Sequence, residues 1–287
     1  MISKKLANLD SRIVYAVVFL SILLPLWRPL GLSISVSDGT LKVHGLLNAL
    51  SQDDTVIVSP SFTPSTEAEV YPQMEAVLRH LLSRNARIAF ACLNVESQIY
   101  AEESMAALAP EFGYEYGVDY VILPFTPGME TAVAAISNNF LGTYPRDAYG
   151  TPLTEIEAVT GIRSVSDFAL IVDFNTGNTA IYYIQYANPR GVRVVAGASG
   201  VTVPYLTPYL ATGQLSGLID GMRGAAEYES AIGYPGEALA AMDAQSLSHA
   251  SILALIGLGN GASFLSKRGD ARDAEQKKQS YGGELDE

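Results

Sequence analysis

Apolar residues fill two stretches near the ends of the chain, Ile13 to Trp27 and Leu247 to Leu265, and between them their spacing switches between that of strands and that of helices. From Asp54 the switching is regular. TVIVSP, starting at Thr55, is a short apolar run closed by Ser and Pro, and Glu67 to Ser83 then carries Val70, Met74, Val77, Leu78, Leu81 and Leu82 at helical spacing. The same reading predicts strands at Arg87 to Leu93 and Tyr120 to Phe125, and helices at Glu96 to Phe112 and Met129 to Leu141. FALIVDF and VRVVAGASG continue the series as core strands, while NTAIYYIQYA between them reads as helix or strand, with Tyr182, Tyr183 and Tyr186 compatible with either. Strand and helix alternating in blocks of this length predict a parallel sheet with right-handed crossovers. The expected fold is α/β, an open Rossmann-like, mostly parallel sheet with flanking helices, bracketed by an N-terminal and a C-terminal transmembrane helix.

Three segments are less regular. SISVSDGTLKV, Ser33 to Val43, alternates polar and apolar residues and predicts a short hairpin or edge strand around Asp38-Gly39. The stretch from Leu141 to Phe168 contains Pro145, Pro152, Gly142, Gly150 and Gly161, which predicts an insertion lying mostly over the surface as a lid or docking loop. Val201 to Glu229 begins with nineteen uncharged residues, but Pro204, Pro208 and the charges that follow disfavour a re-entrant membrane segment. Read as a helix from about Thr207, it places Leu215, Leu218, Ile219, Met222 and Ala226 on one stripe, with Gly213, Gly217, Gly221 and Gly224 on another side. A helical glycine costs about 1 kcal/mol relative to alanine, so four of them predict an interface where another backbone comes close.

The end stretches are read as spans of a bilayer about 30 Å thick, although the first is short for one and the second only just meets the length. Lys4, Lys5 and Arg12 precede the first, and Arg28 can snorkel while Pro29 to Ser35 extend it; a cleaved signal peptide is the alternative, although no small-x-small site follows closely. The second holds His249, Asn260 and several Ser and Gly, and a buried helix of the soluble domain is its alternative. Lys267, Arg268, Arg272, Lys277 and Lys278 follow it at once, as a cytoplasmic flank does. The expected organisation is a cytoplasmic segment 1–12, a span 13–32, an extracytoplasmic α/β domain 33–240, a span 244–266 and a disordered cytoplasmic tail 267–287. Gly257 and Gly261 form a GxxxG in the second span, a pattern that lets helices pack closely, against the first span or against a partner.

Charge narrows the partners. Residues 29–246 hold nine Lys or Arg against twenty-three Asp or Glu, a net of −14, which disfavours nucleic acid and anionic headgroups. The single cysteine, Cys92, lies in the apolar run IAFACLN and has no partner for an internal disulfide; a buried strand position is the expectation.

In an open parallel sheet, ligands bind beyond the carboxyl ends of the strands. There the chain offers Ser59, Ser61 and Thr63, then Asn94, then Asp173 and Asn175, then Ser199, all hydroxyl, amide or carboxyl residues able to hold a small polar ligand. The same residue types are ordinary helix caps and turn formers, and Ser65 or Thr66 with Glu69 has the capping-box spacing. No GxxxxGK[ST] or GxGxxG motif is present. His44, His80 and His249 lie away from the candidate serines, which disfavours a hydrolytic triad, and no spacing selects a metal; no cofactor is expected.

GQLSGLIDGMRGAAEYE (Gly213 to Glu229), with SPSFTPSTEAEV upstream and MDAQSLSH before the second span, resembles a family of bacterial hypothetical membrane proteins with two spans. The resemblance covers most of the chain and implies topology rather than mechanism. Together these readings point to a membrane-anchored, non-catalytic binding or assembly component, partnered by the bilayer and by copies of itself or other subunits of a membrane complex. The alternative is a ligand sensor or hydrolytic enzyme whose pocket converges on Ser61, Asp173 and Ser199. A transporter or channel subunit is the third reading, requiring an oligomer.

Overall fold

The computed structural model describes residues 10–282. Lys4 and Lys5, and the last five residues, lie outside them. The chain falls into two compact units, Gly31–Leu239 and a second made of Met1–Leu30 with Ala240–Glu287.

The larger unit is an α/β domain built on a six-stranded, all-parallel sheet. In chain order its principal elements are α2 (Asp38–Asn48), β1 (Thr55–Ser61), α3 (Glu67–Ser83), β2 (Arg87–Phe90), α4 (Ser97–Phe112), β3 (Tyr120–Ile122), α5 (Glu130–Asn138), β4 (Leu170–Asn175), α6 (Thr179–Ala187), β5 (Arg193–Ala198), α7 (Val203–Ala211), β6 (Gly217–Asp220) and α8 (Gly221–Ala231). The strand order is β3-β2-β1-β4-β5-β6, the Rossmann-like arrangement. Every residue of β1 and β4 is buried, as expected of central strands covered by helices on both faces. Alternation along each strand divides the core in two. Ile57, Ile171 and Val194 face one cluster with α5 and α6, while Val58, Val172 and Phe174 face the other with α3 and α4.

Four expectations are corrected here. Residues 38–48 form a helix and no hairpin: Ser37 caps it through Thr40, and Val43 and Leu47 bury the face that the strand pattern had suggested. The 142–168 insertion is not a loose surface lid, because Leu153, Ile156, Val159, Ile162 and Val165 are all buried in the first core cluster. Thr66 forms no side-chain cap at α3, and Glu69 instead accepts a 2.8 Å hydrogen bond from the Gly200 amide. Finally, Val201–Glu229 is not one helix.

That last segment is helix, strand, helix. Gly213 turns the chain at φ +74°, and Gly217 sits in β6, where an added Cβ would come within 2.9 Å of the Val43 backbone nitrogen. Gly221 opens α8 at φ +55°, and Gly224 lies against Ile219. The four glycines therefore share no helix face. For Gly217 the approaching backbone is α2 of the same chain.

In the smaller unit α1 (Ser11–Trp27) is capped by Asp10 and ends at Trp27; Arg28 is extended ahead of Pro29, so the helical extension through Ser35 does not form. Leu30 donates a 2.7 Å backbone hydrogen bond to Asp243 within this unit. The last helix, α9 (Glu237–Gly282), continues through most of the segment expected to be disordered. Among the described residues one helical stretch, Glu237–Phe264, is long and apolar enough to cross a membrane; Ser11–Trp27 is apolar but shorter.

Candidate functional site

β1 and β4 run side by side, with Ser59 paired to Asp173 and Ser61 to Asn175. The sheet order reverses between these two strands, so their following loops diverge and leave a crevice at the carboxyl edge. Register partners in a parallel pair point to the same face. All four side chains therefore lie on the α5–α6 side, in line with Ile57 and Ile171.

These four polar residues lie inside the sheet and are buried, as is Tyr183 of α6. Ser59 and Ser61 share a 2.8 Å hydroxyl contact, and the Thr179 hydroxyl donates a 2.7 Å hydrogen bond to Asp173 Oδ2. Asp173 Oδ1, both amide atoms of Asn175 and the Tyr183 hydroxyl have no hydrogen-bond partner. Burial pushes the Asp173 carboxyl up to about 7, opposed by the hydroxyls of Thr179, Ser59 and Ser61 and by the Asn175 amide. Burial also holds the Tyr183 phenol well above its ordinary value, and the nearby Asp173 charge adds to that.

Above this layer lies a cleft of about 430 Å³ whose floor includes Ser61 and Thr179 and whose wall includes Thr63, Asn94, Phe125 and Met129. Its residues include no Lys or Arg, and Glu96 is the single charged one. Gly128 and Met129, on one wall, both have positive φ, +104° and +44°.

Of the sequence-predicted ligand residues, Ser61, Thr63 and Asn94 reach the cleft, and Ser59, Asp173 and Asn175 form the buried layer under it. Ser199 does not join them. Its carbonyl accepts from the Thr202 and Val203 amides and its hydroxyl contacts Thr202, so it shapes the start of α7. Capping does not account for four of the remaining six: Ser59, Ser61, Asp173 and Asn175 lie within strands and cap no helix. Tyr183 and Phe125 were not anticipated. Tyr183 follows Thr179 by four residues, a spacing that puts both on the sheet-facing side of a helix once the segment is read as helical.

Other polar groups serve the scaffold. The Gln73 amide reaches the carbonyls of Glu69, Ala198 and Gly221, tying α3 to the ends of β5 and β6. His80 Nδ1 lies 2.8 Å from the Tyr228 hydroxyl, with the His44 ring tilted beside it, centroids 4.9 Å apart. The Cys92 thiol is buried as expected, but it follows β2, which ends at Phe90, rather than lying in the strand; burial pushes it up to about 12, which keeps it a poor nucleophile. Among the described residues no group of three or more His, Cys, Asp or Glu could hold a metal ion. No protein-family model and no curated protein sequence matches the chain.

Proposed function

We propose that the chain is a membrane-tethered binding protein whose α/β domain takes a small polar ligand at the β1–β4 crevice, with both termini cytoplasmic and the domain on the opposite side. The observation that carries the binding reading is the buried layer of unpartnered polar atoms on Asp173, Asn175 and Tyr183 beneath an open cleft. An unsatisfied buried polar atom costs about 1–3 kcal/mol, and central strands of a parallel sheet are ordinarily filled by Val, Ile or Leu. Three such residues on one face are better explained by use than by stability.

Tethering is supported by the apolar side chains left exposed on both end helices, among them Tyr15, Phe19 and Trp27 on α1 and Leu253, Leu258 and Phe264 on α9. Assembly through the second span remains part of the proposal: Gly257 and Gly261 have open space around them, whereas Gly217 and Gly224 are occupied by packing inside the domain.

Two measurements test this. Asn175→Leu, which replaces the orphaned amide by an apolar group of similar size, is expected to leave the melting temperature unchanged or raise it. A large drop would make the amide structural and remove the binding argument. Extraction from membranes by carbonate, or activity of a cytosol-only reporter inserted near position 150, would remove the tethered topology.

A further inference from the structure

Resting on that reading of the crevice, we propose that its ligand is a neutral polyol, a sugar or a sugar fragment, held by paired hydroxyl-to-amide hydrogen bonds. Asn175 offers an acceptor and donors side by side, neither held by a hydrogen bond of good geometry, although its amide lies close enough to Asp173 to favour that carboxylate. Neighbouring hydroxyls on a ring satisfy such a pair, because each hydroxyl both donates and accepts. The polar members of the cleft are of matching kind: Ser61, Thr63 and Asn94 are neutral groups with both donor and acceptor capacity, and Thr179, whose hydroxyl hydrogen goes to Asp173, offers an acceptor.

Charge excludes the nearest alternatives. A phosphate or carboxylate ligand would meet no Lys or Arg in the cleft and would face Glu96 in a domain of net charge −13. A cation would find only that one carboxylate at the cleft, since Asp173 is buried beneath it with its charge disfavoured. Phe125 and Met129, 42% and 41% exposed, give one wall an apolar surface of the kind that packs against the C–H face of a sugar ring.

The Asn175 amide is shut off from solvent, so the ligand must part the walls to reach it.

Saturation-transfer NMR on the full-length protein, in a detergent without a sugar headgroup, tests the assignment. The probes are glucose, ribose and N-acetylglucosamine; glucuronate and glucose 6-phosphate as charged counterparts; and nicotinamide as a carboxamide without hydroxyls. At least one neutral sugar is expected to bind, with its charged counterpart weaker by roughly tenfold or more. The signal should vanish in Asn175→Leu and fall in Phe125→Ala, a substitution at a half-exposed position that spares the core. Equal or tighter binding of a charged counterpart overturns the assignment, as does silence from every neutral sugar at millimolar concentration. A nicotinamide signal that Asn175→Leu abolishes overturns the sugar but leaves the binding site standing. Sugar signals unchanged by both substitutions place the ligand elsewhere and overturn both readings.

Discussion

The Thr179 hydroxyl donates a 2.7 Å hydrogen bond to one carboxylate oxygen of Asp173, and the other oxygen of that carboxyl has no partner. Neutral hydroxyl and amide groups, Thr179 first and then Ser59, Ser61 and Asn175, only partly replace the hydration of a carboxylate in a fully buried position. Asp173 therefore holds its proton far above the range of an ordinary aspartate, close to neutrality.

This sets a pH dependence with a definite sign. The folded Asp173 titrates at about 7, above its unfolded value near 3.9, so the native state binds the extra proton between those limits. Its contribution is fully present below about pH 4 and is lost as pH rises through 7, at a slope of at most about 1.4 kcal/mol per pH unit. His80 acts in the opposite sense, because burial first, then His44 and Arg84, lower it to about 4 and make the fold lose stability as pH falls from 6.5. Comparison with Asp173→Asn cancels the histidine. The stability of wild type relative to this variant should decline from pH 4 to 7 and be flat outside that window in denaturant titrations; parallel curves would place the carboxyl in a hydrated setting.

Gly217→Ala should destabilise the domain, because the new Cβ would lie 2.6 Å from Val43 Cγ2 and 2.9 Å from its backbone nitrogen, and the latter cannot move without shifting α2. Overpacking of this kind costs about 1–3 kcal/mol. Gly261→Ala, with open space around it, should leave the domain's melting temperature within experimental error. Equal losses at both positions would contradict the assignment of Gly217 to internal packing.

The layered α/β core is legible because its signal is local: Glu67 to Ser83 alternates with strand runs on either side, and each short run has an apolar centre. Ser59, Ser61, Asp173 and Asn175 could be nominated from their places at the ends of predicted strands. That β1 and β4 are neighbours, which brings the two pairs together, is a matter of strand order, and no residue in either strand encodes it alone. Ser199 had the same local appearance but its strand lies beyond β4, away from the reversal. The misread segments share a cause. In 207–229 the glycine spacing matches a helix face, yet each glycine answers a different constraint, a turn at Gly213 and a close α2 backbone at Gly217. In 33–43 the polar–apolar alternation was too short to separate a strand from the first turn of a capped helix.

Glu229 gathers the start of the last helix. Its buried carboxylate accepts backbone hydrogen bonds from Gly236, Ala238 and Leu239 at 3.0, 3.0 and 2.7 Å. Glu229→Ala leaves three donors without that acceptor and should cost about 2–4 kcal/mol, with faster amide exchange at 236–239 as the local signature. Glu229→Gln keeps an acceptor oxygen and should fall between the two. Unchanged exchange in the alanine variant would mean that these amides find water as readily.

Tyr183→Phe separates use from stability most cleanly, since it removes one oxygen and little else. The phenol is fully buried and unpartnered, so deleting it relieves a desolvation penalty without opening a cavity larger than the missing atom. The expected outcome is a melting temperature equal to wild type or raised by the equivalent of up to about 1 kcal/mol. If the hydroxyl is instead held by a structural partner, the variant loses stability, and the buried layer under the crevice becomes ordinary scaffold. A stabilised Tyr183→Phe that also binds the crevice ligand less tightly would identify the hydroxyl as a group retained for recognition at the expense of the fold.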